Sequence, residues 1–324
     1  MRISKVELGL PRHKVPNEYY FNKFQDRKEN IKSLTSALSK EERYIAEKYE
    51  DNSLTLASKA LDNLLVGVDK QEIGALFFVS QTSEYLFPTN AILLHKEHGL
   101  SEECLCMDMN ANCAGMVTAL EHAYHYMRDH KNFKYIVIAG GELHSTHAHQ
   151  EDLMMYTVFA DMGCALLLER TKEDCHLITR HTSNSTSAGN TIFPREGLSK
   201  IHEKDITQHI LWNAAGATLE ATFAAGVHSV KLLMDELQIS KDDICFIAAN
   251  QQTQQSTTYL LKELQLTEDK AYYIGDKYGY TGSTAAFVSF YHALNEGKIK
   301  NNKYIVFVTA GVGGLVSVLL MKIV

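Results

Sequence analysis

Short apolar segments alternate along the chain with longer segments in which apolar residues recur at helical spacing. Residues 54–66 have the spacing of an amphipathic helix, and an apolar run follows at residues 73–79. Residues 227–237 and the apolar run at residues 244–249 form a second pair of the same kind. Strands that alternate with helices in this way predict βαβ units and a largely parallel sheet.

The order of these elements repeats along the chain. Residues 70–82 resemble residues 241–253, because each segment is a short apolar strand that ends in a polar Gln-Thr turn. Further on, residues 134–141 resemble residues 303–311. Generic βαβ segments can resemble each other by chance, but two distinct segments in the same order favour an internal duplication.

We therefore predict two similar α/β halves, residues 1–170 and residues 171–324, packed together as one rigid body. Three segments lie outside the repeat. Residues 17–48 are rich in charge and predict a mostly helical insertion. Residues 140–156, with three histidines, and residues 183–208, rich in Ser, Thr and Asn, predict loops or caps.

Composition limits the kind of protein this can be. The 324 residues are 45% hydrophobic, as in an ordinary globular protein, and carry a net charge of −7. Without a basic block we expect no nucleic-acid binding, and no apolar run is long enough to span a membrane. The first ten residues lack the apolar core of a signal peptide and predict a strand. Six cysteines without a CxxC pair then predict reduced thiols in a cytoplasmic protein.

Cys113 is the strongest candidate for chemistry. It lies where an apolar, strand-like segment leads directly into a predicted helix, and Ala111, Ala114 and Gly115 leave room around its sulfur. Unpaired N–H groups at the start of a helix favour the thiolate, which is the nucleophilic form of cysteine. The alternative is a buried, inert cysteine, which is the commoner role of a free thiol.

Several motifs, taken in order, resemble a known family. They are the strand–Cys113-Ala-Gly–helix element, Phe87-Pro88 before it, Phe159-Ala-Asp161-Met-Gly163 after it, and Ala310-Gly-Val-Gly313-Gly314 near the C-terminus. Together with the duplication, they resemble the β-ketoacyl-acyl carrier protein (ACP) synthase III family. The resemblance implies the thiolase fold, in which two βαβ-rich halves form a layered α/β/α/β/α arrangement.

The resemblance also implies roles for individual residues. Cys113 would accept an acyl group from acyl-CoA or acyl-ACP, which are substrates, so that no further cofactor is expected. The backbone N–H groups of Cys113 and Gly313 would bind the carbonyl oxygen, and fixed amide donors of this kind are a large term in acyl transfer. Phe87 would line the acyl pocket of a neighbouring subunit, which implies a homodimer. An ordinary core phenylalanine is the alternative for Phe87.

Two positions depart from the family pattern. The resemblance implies a histidine and an asparagine that stabilise the enolate formed when a malonyl thioester loses CO2, but this chain has Asn250 and Tyr280 there. Both side chains can donate a hydrogen bond. Neither is a general base at neutral pH, since an amide does not titrate and a phenol has a pKa of about 10. The pattern therefore predicts acyl transfer through Cys113 and argues against decarboxylative condensation of the usual kind.

A histidine-bearing loop offers a replacement base. His144 and His147 follow the apolar run that ends near residue 141, and a histidine titrates near neutral pH. The commonest interpretation of such loop histidines is partly exposed surface. The spacing fits no structural zinc site, and we predict no bound metal.

Recognition of coenzyme A is also altered. Residues 28–43 lack the tryptophan that the resemblance implies there, and Gln255 replaces an arginine. The single tryptophan, Trp212, either lines the substrate tunnel or packs a helix. Weak binding of coenzyme A would favour a donor carried by ACP, or a divergent subunit.

Two functions from different classes follow. The first is an acyltransferase or condensing enzyme like β-ketoacyl-ACP synthase III, in fatty-acid or secondary-metabolite synthesis. The alternative is a non-catalytic or half-catalytic subunit that pairs with an active homologue in a heteromer. An acyl-binding or regulatory protein on the same scaffold is a third option.

Overall fold

The computed structural model describes residues 1–47, 50–149, 151–200, 202, 210 and 219–324. The strands are β1 (Arg2–Gly9), β2 (His13–Pro16), β3 (Glu42–Ile45), β4 (Ile73–Val79), β5 (Leu105–Met109), β6 (Tyr135–Glu142), β7 (Met162–Glu169), β8 (Ile178–Ser183), β9 (Ile244–Ala249), β10 (Tyr304–Gly311) and β11 (Leu315–Lys322). The helices are α1 (Asn17–Lys23), α2 (Lys28–Ala37), α3 (Ser53–Leu64), α4 (Asn90–His98), α5 (Gly115–Asp129), α6 (Leu153–Val158), α7 (Leu219–Leu237), α8 (Gln254–Glu263), α9 (Gly275–Tyr278) and α10 (Ala285–Asn295).

The first half of the chain forms a five-stranded sheet in the order β1-β7-β6-β4-β5. Strand β4 lies parallel to both β5 and β6, whereas β7 runs antiparallel to β6 and β1. Every residue of β4 is buried, as expected of a central parallel strand that is covered on both faces. The carboxyl ends of β4, β5 and β6 therefore meet at one edge of the sheet.

The second half repeats this pattern in a four-stranded sheet, β8-β11-β10-β9. Strands β9 and β10 are parallel, while β11 is antiparallel to both β10 and β8. The predicted repeats correspond in space, because β4 and β6 occupy the same places in their sheet as β9 and β10 do in theirs. Strand β5 has no counterpart among the described strands of the second sheet.

Helices α5 and α10 lie between the two sheets. Alternate residues of the strands, among them Phe77, Phe246 and Phe307, face this central layer and pack against Leu120 of α5 and Phe287 of α10. Burial of each such side chain stabilises the fold by about 1.5–3 kcal/mol. The other strand faces are covered by α3 and α7. The layers are therefore α/β/α/β/α, as the resemblance implies.

The segment outside the repeat at residues 17–48 is mostly helical in its described part, as predicted. It contains α1 and α2 with a 3-10 turn between them, and the exception is β3, a strand that pairs antiparallel with β2. The cause is Arg43, which is completely buried. Its guanidinium stacks 4.7 Å from the centre of the Tyr20 ring and donates to the Thr157 carbonyl and the Asn17 side chain, contacts that an extended backbone allows.

The loops predicted around residues 140–156 and 183–208 also contain structure. The first begins in β6 and ends in α6, and the described part of the second includes two single 3-10 turns. None of the described helices has both the length and the apolar character needed to cross a membrane.

Candidate active site

A sharp turn between β5 and α5 carries Cys113. Asn112 has a φ of 51°, in the left-handed region that Asn tolerates better than most residues, and its N–H donates to Asn110 Oδ1 at 2.9 Å. Helix α5 begins at Gly115, two residues after the cysteine. A Cβ on Gly115 would lie 2.6 Å from the Val79 Cγ1 atom, so a glycine is needed for the helix to approach β4 this closely.

The turn between β10 and β11 lies against the other side of Cys113. Asn112 Nδ2 donates to the Val312 carbonyl at 3.0 Å, and the Val312 backbone amide hydrogen-bonds to the Cys113 sulfur. Gly311 is so close that a Cβ there would lie 3.5 Å from the Cys113 nitrogen. Gly313 follows with a φ of 87°, which favours glycine. The two halves of the chain thus meet at the sulfur.

Tyr280 and Asn250 are buried on the side of the second half. Tyr280 hydrogen-bonds to the Cys113 sulfur, and Asn250 Nδ2 donates to the Tyr280 hydroxyl oxygen at 2.5 Å. Asn250 Nδ2 also donates to the Ala310 carbonyl at 3.2 Å, while its Oδ1 accepts from the Ala310 N–H at 2.9 Å. Because the amide occupies the acceptor side of the phenol, the Tyr280 O–H is free to donate towards sulfur. Burial and the nearby thiol raise the pKa of Tyr280 well above its ordinary value, so this proton stays on the phenol.

Gln81 and His144 complete the surroundings of the sulfur. Gln81 Nε2 lies 3.6 Å from Cys113 Sγ and 3.1 Å from His144 Nε2. His144 Nδ1 donates to the Ala160 carbonyl at 3.0 Å, which leaves Nε2 as the unprotonated nitrogen. Burial lowers the pKa of His144 to about 4, so the imidazole is neutral.

Glu142 hydrogen-bonds to residues on both halves of the site. Its carboxylate accepts from the Ser283 hydroxyl at 2.5 Å and from the backbone N–H groups of Ser283 and Gln81, each at 3.3 Å. The hydroxyl of Thr82 lies 3.4 Å from the same carboxylate. Burial raises the pKa of Glu142 to about 7. The side chain therefore holds the turn after β4, the end of β6 and the turn before α10 in one place.

Burial raises the pKa of the Cys113 thiol above its ordinary value, although the hydrogen bonds from Tyr280, Gln81 and Val312 lower it. The expectation that the start of α5 makes this cysteine a ready thiolate is wrong for the resting structure. The physical reason is that Cys113 is only 3% exposed, and loss of hydration penalises the charged form more than the three donors favour it.

A cavity of about 110 Å³ lies beside Cys113. Gln81, Asn112 and Val312, which contact or flank the cysteine, form one part of its wall. The other described lining residues are a mixture of polar and apolar side chains: Asn110, His144, Met155, Phe159, Thr191, Phe193 and Ile210. Within the described part of the chain, the one cluster with metal-ligand spacing (His13, Glu47 and Glu50) lies beside β2 and β3 rather than at this cavity.

The remaining residues that the sequence predicted for the site differ in their burial. His144 is buried, so partly exposed surface was wrong for it, whereas His147 is half-buried with its ring 4.9 Å from Phe193. Phe87 is 85% exposed, which rules out the alternative of a core phenylalanine within this chain. Trp212 lies outside the described residues.

Gln81 and Glu142 were not among the predicted site residues. Gln81 follows β4, which pairs with the strand that precedes Cys113, and Glu142 ends β6 on the other side of β4. Both therefore lie at the carboxyl ends of parallel strands, where open α/β sheets place their ligands. That position in the repeat, together with a polar residue at the end of an otherwise apolar run, was a signal that could have identified them.

Known proteins share this architecture over almost the entire chain. The solved 3-oxoacyl-ACP synthase of Burkholderia xenovorans has a TM-score of 0.86 at 22% identity, with 99% of this chain and 93% of that chain covered. OleA of Xanthomonas campestris, solved with lauric acid and lauroyl-CoA, has a TM-score of 0.82 at 14% identity and covers 99% of this chain and 98% of its own. With the two layered sheets, these likenesses define the class: the protein has the thiolase fold.

Sequence comparison narrows the class to a family. The family model for 3-oxoacyl-ACP synthase III matches residues 107–186, and the model for its C-terminal part matches residues 234–323. β-Ketoacyl-ACP synthase III of Clostridium perfringens is 26% identical over 320 residues, 97% of this chain and 96% of the relative. That of Coxiella burnetii is 24% identical over 283 residues, 84% of each protein. The chain belongs to the β-ketoacyl-ACP synthase III family, whose members are condensing acyltransferases of fatty-acid synthesis.

Proposed function

We propose that Cys113 accepts an acyl group from an acyl-CoA or acyl-ACP thioester. The sulfur attacks the thioester carbonyl, a new carbon–sulfur bond forms, and the bond to the carrier sulfur breaks. The carrier thiolate leaves and takes up the proton that Cys113 gives up. The observation that carries this proposal is the ring of donors around the sulfur, from Tyr280, Gln81 and Val312, next to a cavity.

The thioester oxygen would be bound by the backbone N–H groups of Cys113 and Gly313. The turn that contains Gly313 lies against Cys113, and Gly311 and Val312 contact the cysteine or its neighbour Asn112. This close approach supports a pair of amide donors at the reacting carbonyl.

We propose that the acyl group is then transferred rather than condensed by decarboxylation. Both hydrogens of Asn250 Nδ2 are committed, one to Tyr280 and one to the Ala310 carbonyl. Tyr280 is therefore the one donor that these two positions can present to an enolate oxygen, where the family pattern has two. An acceptor with an O–H or N–H group then needs a base, for which His147 is the candidate, because the Nε2 lone pair of His144 already accepts from Gln81.

The donor in this proposal is carried by ACP in preference to coenzyme A. Gln255, which replaces the expected arginine, donates its side-chain N–H to the Ala37 carbonyl at the end of α2 at 2.9 Å. Unlike an arginine, this amide has no positive charge for a nucleotide phosphate, and it already donates a hydrogen bond to the backbone. Lauroyl-CoA in the OleA structure shows that a relative binds the coenzyme form, so both donors belong in the test.

The exposed Phe87 supports a homodimer in which it enters the partner's acyl pocket. An aromatic side chain that is exposed on the surface of one subunit is typical of a protein–protein interface. A heteromer with an active homologue was the alternative, but the matched relatives carry the names of enzymes, and the complete donor set at Cys113 gives that alternative no support.

Intact-mass spectrometry tests the proposal. The protein is incubated with panels of acyl-CoA and acyl-ACP thioesters of two to twelve carbons, with Cys113→Ser as the matched control. We expect a mass gain equal to the acyl group in the wild type and none in the variant. A panel without any gain, or a gain that persists in Cys113→Ser, would contradict the proposal.

A further inference from the structure

We infer that Gln81 is a catalytic residue that holds the Cys113 thiolate, and that His144 is the positioning residue that orients it. This inference rests on the proposed acyl transfer and adds to it a residue that neither the sequence motifs nor the family pattern identified. Gln81 contacts the reacting sulfur directly, whereas His144 acts through Gln81.

The contacts form a directed chain of hydrogen bonds. The Ala160 carbonyl can only accept, so His144 Nδ1 carries the proton and donates to it at 3.0 Å. The neutral His144 must then use Nε2 as an acceptor, and the atom 3.1 Å from it is Gln81 Nε2. A carbonyl oxygen in that position would meet a lone pair, so the imidazole selects the amide orientation in which nitrogen faces the sulfur.

An amide nitrogen has two hydrogens, and here each has an acceptor. One points to His144 Nε2, and the other is available to Cys113 Sγ at 3.6 Å. A thiolate is a far better acceptor than a thiol, so this bond strengthens when the sulfur ionises and weakens when it is acylated. Gln81 thereby stabilises both the attacking sulfur and the sulfur that leaves when the acyl group departs.

Gly282 provides the space for this arrangement. Its φ of 63° favours glycine, and a Cβ there would lie 2.5 Å from Gln81 Nε2 and 2.7 Å from His144 Cε1. The second half of the chain therefore has a residue without a side chain opposite the Gln81–His144 pair, which leaves room for the pair beside Cys113.

The test follows the pH dependence of alkylation by iodoacetamide, with each cysteine quantified by peptide mass spectrometry. Cys106 is half-buried and serves as an internal control in the same chain. For Gln81→Leu we expect the apparent pKa of Cys113 to rise by roughly one pH unit, the size of one hydrogen bond to a charged group. The Cys106 profile should stay unchanged.

His144→Phe should also raise the apparent pKa of Cys113. The double variant should match Gln81→Leu alone, because both changes act on the same hydrogen bond, from Gln81 Nε2 to the Cys113 sulfur. If His144→Phe leaves the Cys113 profile unchanged and slows only release of the acyl group, His144 is an acceptor base and the inference is wrong. An unchanged profile in Gln81→Leu also overturns it. Gln81→Met is the second variant if Gln81→Leu does not give the wild-type circular dichroism spectrum.

Alkylation does not depend on acyl chemistry, so the two proposals can fail separately. A shifted alkylation profile together with no acylation by any thioester would overturn the proposed function and leave the role of Gln81 in place. Normal acylation together with an unshifted alkylation profile in both variants would overturn the role of Gln81 and leave the proposed function in place.

Discussion

Asn250 donates a hydrogen bond to the hydroxyl oxygen of Tyr280 at 2.5 Å, and both side chains are buried beside Cys113. This bond fixes the direction of the next one, because a phenol oxygen that accepts from Asn250 presents its own hydrogen to the sulfur. The two residues that are expected to depart from the family pattern thus form one unit. Tyr280 contacts the sulfur, and Asn250 holds Tyr280 through its own bonds to Ala310.

Loss of the Tyr280 hydroxyl should slow acylation of Cys113. Tyr280→Phe removes one of the donors to the thiolate, and we expect a rate about 10- to 100-fold lower at pH 7.5, as for one bond to a charged group. The rate is measured in a single turnover by rapid quench and intact mass. Asn250→Leu should have a smaller effect, because the hydroxyl remains but loses its orientation. Equal rates in the wild type and Tyr280→Phe would show that the phenol does not assist the sulfur.

The sequence predicted much of the fold and part of this site. The duplicated βαβ pattern could be inferred because β4 and β9, with their Gln-Thr turns, are local patterns that occur twice. Cys113 was found by the small residues around it. His144 was assigned to the surface because its loop is polar, and only the packing of Ala160 and Gln81 against it reveals that it is buried.

Glu142 should make stability depend on pH near neutrality. Its pKa is about 7 in the folded protein and 4.5 as an ordinary value, so between these values the folded state binds more protons than the unfolded state. The free energy of unfolding therefore falls as pH rises from about 4.5 to about 7, by about 3 kcal/mol at most. Denaturant unfolding of the wild type and Glu142→Gln, at pH 5 and pH 7.5, measures this contribution.

The difference between the two proteins is the quantity to follow, because His144 has the opposite sign. Its pKa is lowered from 6.5 to about 4, so it adds stability as pH rises through that interval in both proteins. We expect Glu142→Gln to gain stability relative to the wild type between pH 5 and pH 7.5. A constant difference across this range would mean that Glu142 is not the titrating group.

Phe87 should matter for assembly and little for the fold of one subunit. Its side chain is 85% exposed, so Phe87→Asp removes few contacts within the chain. We expect an unfolding free energy, measured under monomeric conditions, within about 0.5 kcal/mol of the wild type. Light scattering coupled to size exclusion should show a dimer for the wild type and a monomer for the variant. Val66→Asp is the matched control, since Val66 is an apolar residue that is 69% exposed elsewhere on the surface.

Restoring the family pair should restore decarboxylation. In the wild type, Tyr280 is the one donor that these two positions present, because Asn250 is saturated by Tyr280 and Ala310. Asn250→His combined with Tyr280→Asn would place two donors where an enolate oxygen develops, an electrostatic gain of the kind that acyl-transfer enzymes depend on. We expect the double variant to release CO2 from malonyl-ACP at least about 10-fold faster than the wild type, which corresponds to about 1.4 kcal/mol of transition-state stabilisation.

The double variant that also carries Cys113→Ser separates decarboxylation from condensation, because it can release CO2 but cannot hold an acyl group. Rapid CO2 release by the wild type would show that Tyr280 alone supports the enolate, and that the departure at these two positions leaves the family reaction intact.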